Sequence, residues 1–162
     1  MPQDNTATPA AAVLVRAGQD RFNAPFEFLD ARFTVVLSAK DTGGALTCVD
    51  TDRRVRGGPP VHVHPEQDEW FFVRDGEFDI QIDGTMHHLA AGDSLLAPRG
   101  VPHAFANTTE TGRMLVTFIP SGDMEAFFHE ASAMKKPSPP EMAAVFAKHG
   151  MKVVGPPLPV GG

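Results

Sequence analysis

The chain has 162 residues, 42% hydrophobic and 21% charged, which is the composition of a folded globular protein and the length of a single domain. Fourteen Lys and Arg against twenty Asp and Glu leave a net charge of −6 with no basic run, which argues against nucleic acid or an anionic membrane as a partner. The single cysteine, Cys48, cannot form an intrachain disulfide, residues 1–12 lack the Lys or Arg of a signal peptide, and no apolar run approaches a membrane span, so a cytoplasmic protein is expected.

Residues 1–9 are polar and without period, and are expected to form a loose arm. Residues 10–120 read as strand after strand. Phe26, Phe28 and Leu29 lead into Phe33–Leu37, Gly43-Gly44 punctuates, and Ala45–Val49 follows. Farther on, Trp70–Val73 meets Asp75-Gly76, Phe78, Ile80 and Ile82 alternate with polar residues, and Asp83-Gly84 precedes Met86–Leu89. Asp-Gly pairs between alternating runs signal hairpins, because a type I′ turn needs positive φ at both central residues. Many short strands with turns at close spacing predict an all-β sandwich or barrel. From Ser121 the period changes. Met124, Phe127, Phe128 and Ala131 predict one short helix capped by Ser121, and Pro140-Glu141 opens a second that ends at Gly150. The tail, 153–162, carries three prolines and is expected to be extended chain, so 121–162 is appended to the barrel within one domain, 1–162.

Three of the seven histidines fall where chemistry is expected. His62 and His64 are separated by one residue on a predicted strand and so share a face. Glu69 begins the run Glu69–Val73, in which alternation places Glu69, Phe71 and Val73 on one face. If that face is the interior, a carboxylate opens an apolar stripe and needs a partner or a metal. His103 follows the turn Pro98-Arg99-Gly100, with Phe105 on its own face. Three imidazoles and a carboxylate converging in a barrel suit one divalent transition metal. His87 and His88 are neighbours on a strand and must point to opposite faces, and Cys48 reads as a small buried hydrophobe.

The spacing His62-x-His64, four residues, Glu69, six residues, Gly76 is followed by Gly92, five residues, Pro98-x-Gly100, two residues, His103, three residues, Asn107. Together these resemble the two motifs of the cupin superfamily. One departure is that Arg56 stands where a glycine is expected, with Gly57 beside it. Pro59–His64, Asp68–Phe71, Pro98–Phe105 and the ending Val153–Pro157 further resemble small single-domain cupins of the quercetin 2,3-dioxygenase-like group. The resemblance implies a jelly-roll barrel around a metal held by His62, His64, Glu69 and His103, the metal being Fe, Mn, Ni, Co, Cu or Zn. It also implies Glu69 as the base that takes the substrate proton.

Phe71, Val73 and Phe105 are the expected pocket wall. Since none of them is basic, and Arg74 and Arg99 are expected to face solvent, a small uncharged or aromatic substrate is expected rather than a phosphate. Two classes of function remain open: a dioxygenase-type oxidoreductase acting on a flavonol-like or other enol compound, and a metal-containing binding protein without turnover. A non-oxidative isomerase or hydrolase is a third option. A homodimer is expected, with Ala10–Val15 available for strand exchange.

Overall fold

The computed structural model describes residues 11–161; the expected arm over 1–9 lies outside them. In chain order the strands are β1 (Phe26–Phe28), β2 (Ala31–Leu37), β3 (Thr47–Arg53), β4 (Pro60–Val63), β5 (Asp68–Asp75), β6 (Glu77–Ile82), β7 (Thr85–Ala90), β8 (Ser94–Ala97), β9 (His103–Asn107), β10 (Gly112–Ile119) and β11 (Lys152–Pro157). Among the described residues three helices accompany them, α1 (Ala39–Thr42), α2 (Met124–Ala133) and α3 (Pro139–Lys148). All pairings are antiparallel. They build a six-stranded sheet, β1-β2-β3-β10-β5-β8, facing a five-stranded sheet, β11-β4-β9-β6-β7.

Alternation along the strands decides what lies between the sheets. Glu69, Phe71 and Val73 of β5 point inward, fully or almost fully buried, while Trp70 and Phe72 face outward and stack on each other at 5.8 Å. Phe78 and Ile80 of β6 close the core from the opposite sheet. The expected hairpin at Asp83-Gly84 is present: Ile82 pairs with Thr85, and both turn residues have positive φ. Asp75-Gly76 is different. It carries the chain from one sheet to the other, since β5 pairs with β8 and β10 and β6 with β7 and β9. A Cβ at Gly76, φ +72°, would meet Thr111 O at 2.6 Å, so close approach as well as turn shape selects glycine there.

Both expected C-terminal helices form, with shifted starts. Ser121 does not cap α2; its hydroxyl donates to Gly44 O, and Asp123 occupies the cap position without a side-chain cap bond. Asp123 instead pairs with His149, whose other nitrogen donates to Glu130 Oε2 at 2.8 Å. That imidazole, seven per cent exposed, ties the end of α3 to both ends of α2. Helix α3 starts at Pro139 behind Ser138, which forms a capping box with Glu141. The tail forms β11, which pairs Lys152 with Val63 and Val153 with His62. Among the described residues no helix is long and apolar enough to cross a membrane.

Candidate metal centre

The two sheets bring the four residues singled out in the sequence together. His62 lies on β4 and His64 just past its end, His103 opens β9 directly opposite His62, and Glu69 reaches across from β5 of the other sheet. Each of the four is at most 4% exposed. Their ligand atoms all lie within 4.8 Å of one another. Glu69 Oε2 is 2.6 Å from His103 Nε2, 3.1 Å from His64 Nε2 and 3.8 Å from His62 Nε2.

The opposite ring nitrogens explain why the Nε2 atoms face inward. His62 Nδ1 donates to Pro60 O at 2.8 Å, and His103 Nδ1 donates to Val101 O at 3.0 Å. His64 Nδ1 donates to Gln67 Oε1 at 3.1 Å. The Gln67 amide is itself oriented, because its Nε2 donates to Pro120 O at 3.0 Å and Ser121 O at 2.8 Å. With Nδ1 carrying the proton, the His62 and His64 Nε2 lone pairs are turned toward a carboxylate. His64 Nε2 is buried and has no hydrogen-bond partner among the described residues. A lone pair facing a carboxylate oxygen at 3.1 Å is repulsive unless a cation lies between them, so the donor set fits a divalent transition metal.

The protonation of the ion-free cluster follows the same logic. Burial pushes the Glu69 carboxyl up, but the charge and contacts of the imidazoles, His103 first, outweigh it and hold the group well below the usual carboxylate range. Burial lowers His62. Burial acts downward on His103 as well, yet Glu69 beside it prevails and its pKa is raised.

A cavity of about 40 Å³ opens onto His62 and His64. Phe105 lines it, as expected. Phe71 and Val73 do not line it; they are buried in the core, the Phe71 ring 6.1 Å from His103. Most of the apolar wall comes from Phe28, Phe33, Val49, Val116 and Phe118 of the six-stranded sheet and from the helices. Phe146 of α3 packs edge-on against His62 at 5.3 Å and against Phe127 of α2 at 4.8 Å, so the appended helices roof the site.

Arg74 and Arg99 are paired at the outer surface with Asp50 and Asp68, as their expected orientation required. Arg53, which the sequence reading passed over, corrects the expectation that the wall holds no basic residue. It lines the cavity, is 2% exposed, and has no carboxylate within ion-pair distance among the described residues. Its Nε donates to Asn107 Oδ1 and its Nη2 to Leu29 O, both at 2.9 Å, and burial lowers its pKa. Asn107 thus positions a buried cation. The sequence held one signal for it: Arg53 follows Val49 and Thr51 at period two, on the inward face of β3.

Residues 54–129 match the family described as the cupin domain. The chain is 38% identical over 82 residues to Protein SchB of Streptomyces halstedii, covering 49% of this chain and 59% of that protein. It is 29% identical over 91 residues to quercetin 2,3-dioxygenase of Bacillus subtilis, covering 56% of this chain and 27% of the enzyme. It therefore spans less than two thirds of the length of these relatives. An RmlC-like cupin from Shewanella frigidimarina superposes with a TM-score of 0.58 at 22% identity, over 71% of this chain and 96% of that one. Both motifs and the quartet fall within residues 54–129, which match the cupin domain family, and the two sheets around them form a cupin-type β-sandwich.

Proposed function

We propose that the protein is a metal-dependent dioxygenase-type oxidoreductase acting on a small enol or aromatic compound, with the metal held by His62, His64, Glu69 and His103. The observation that carries this reading is the unpartnered Nε2 of His64, aimed with His62 at an ionised, buried Glu69. A bound divalent metal would supply Lewis acidity and, if redox-active, a route for electrons between substrate and dioxygen. Glu69 would take the enol proton, and the Nδ1 donations fix the imidazoles while it does so. The phenylalanine wall keeps bulk water from the deprotonated substrate, and Arg53 places positive charge on the same cavity.

A second reading, a metal-containing binding protein without turnover, draws on the same wall: besides His62, His64 and Arg53, no titratable residue among those described lines the cavity. Likeness to quercetin 2,3-dioxygenase covers about a quarter of that enzyme and supports the first reading only at the level of reaction type. Two measurements on protein purified without chelator separate the two: metal content, and oxygen uptake with quercetin, 3-hydroxyflavone and small diketones. One equivalent of a redox-active metal with uptake that Glu69→Ala abolishes supports the oxygenase. Bound metal and bound ligand without uptake replace it with the binding protein. Cytoplasmic location and homodimerisation belong to the same reading, and sedimentation equilibrium tests the latter.

A further inference from the structure

The cavity at His62 and His64, about 40 Å³, has room for water-sized ligands, far below the roughly 300–1,000 Å³ of sites that enclose small molecules. Beside it lies an open, mainly apolar groove of about 680 Å³, walled by the hairpin β1–β2, the α2–α3 connection and β11. Among the described residues only Phe28 and Leu29 border both spaces. Phe28 is fixed: it is buried on β1 and packs edge-on against Phe127 at 5.7 Å and Phe128 at 6.0 Å. Leu29 is held differently.

Phe28 pairs with Ala31, so Leu29 and Asp30 are the two central residues of the hairpin turn, with φ +48° and +57°. A turn of this kind favours Asn-Gly or Gly-Gly, and a leucine there is strained. Strain at a wall between two spaces is a reason to look for function. The Leu29 carbonyl is also pinned, by the buried Arg53 guanidinium. Leu29 thus combines an unfavourable backbone, a place on the border of both spaces, and an anchor from Arg53, the only Lys or Arg among the described residues that lines the inner one.

We infer that Leu29 is the gate of a substrate port: the body of the substrate lies in the outer groove, and its reactive head reaches the metal cluster past this side chain. This rests on the metal-site reading and adds the class of ligand, an elongated, largely apolar molecule with a compact oxygen-bearing head. Arg53 holds the gate closed through the Leu29 carbonyl.

Labelling of the metal-free protein with diethyl pyrocarbonate tests the port. The reagent must reach His62 and His64, and exposed His129 serves as the internal reference in peptide mass mapping. Leu29→Gly is expected to speed modification of His62 and His64 relative to His129 by about tenfold, equivalent to lowering an opening free energy by roughly 1.4 kcal/mol. Asp30→Gly relieves strain in the same turn but keeps the leucine, and is expected to leave the ratio within about twofold, as is Ile80→Val, which loosens the core away from the hairpin. Leu29→Ala is expected to act in the same direction as Leu29→Gly and replaces it if that variant does not fold. Equal ratios in the Leu29 variant and either control would overturn the inference. The metal reading is scored separately on wild-type protein, where a bound divalent ion should protect His62, His64 and His103 together. Failure of that protection removes the metal, while the variant ratios still decide the port.

Discussion

Replacing Gln67 by leucine tests whether the metal cluster is set by a side chain that never touches the metal. Gln67 is 7% exposed, accepts from His64 Nδ1 and donates to Pro120 O and Ser121 O. Leucine matches it in bulk and removes all three bonds. Ser121 O keeps a bond from Met124 N at 3.3 Å, so the loss falls mainly on Pro120 O and on His64. A buried polar group left unsatisfied costs about 1–3 kcal/mol, which sets the expected loss of stability in the ion-free protein. The His64 ring also becomes free to change tautomer and tilt, and losing such an outer partner weakens metal binding by roughly 10–100-fold, or about 1.4–2.8 kcal/mol. Gln67→Glu makes the contrast. It keeps an acceptor for His64 but turns a carboxylate oxygen toward the two carbonyls, so it should lose stability while holding metal better than Gln67→Leu does. Competition against a chromophoric chelator gives the affinities, and thermal unfolding of chelated protein gives the stabilities. Metal binding by Gln67→Leu as tight as in wild type would refute the claim that Gln67 sets the His64 ring.

Three further outcomes follow from the packing. A Cβ at Gly58 would lie 1.7 Å from Phe105 O, so Gly58→Ala must push β4 away from β9; it should cost at least the upper end of roughly 1–3 kcal/mol in chemical denaturation and weaken metal binding, since His62 and His103 face each other across that pair. Phe146→Ala removes a ring packed on His62 and Phe127 and should cost about 3–5 kcal/mol by the same assay. His149 stands between Asp123, Glu130 and, through Glu130, Lys148; burial opposes its charge, but the two carboxylates prevail and raise its pKa above the ordinary 6.5. The stability advantage of wild type over His149→Gln should therefore be complete below pH 6.5 and fade as pH rises through the raised value, as read from unfolding curves across that range.

The quartet was legible because metal ligation imposes residue types at fixed intervals, and strand alternation then fixed the faces of β5 and β6. What escaped the reading lies where side chains act over long sequence distances. Gln67 sits in the turn between His64 and Glu69, and nothing local marks it as the acceptor for His64, because the carbonyls that orient it are some 53 residues away. Arg53 was obscured by the charged cluster Asp52-Arg53-Arg54, although its period placed it inward. The helical stripe of Met124, Phe127 and Phe128 gave the helix, and tertiary packing makes it part of a roof. Asp75-Gly76 misled because a tight turn is equally good at closing a hairpin and at changing sheets. Helix α1 did carry a signal, the capping box of Ser38 and Asp41, which four residues of helix were too short to reinforce.

The pairing of β11 with β4 has a consequence for the order in which the protein can be finished. Strand β4 meets β9 through a single residue pair, His62 with His103, whereas β11, far downstream of both, gives it three partners. As the polypeptide leaves the ribosome, all four ligands are available long before the strand that secures two of them. Completion of the site thus waits for β11 to be made, when one long-range loop closure docks that strand and the preceding helices together. A nascent chain stalled before Lys152 would present its histidines on an unsupported edge, open to any passing ion and to any other exposed strand.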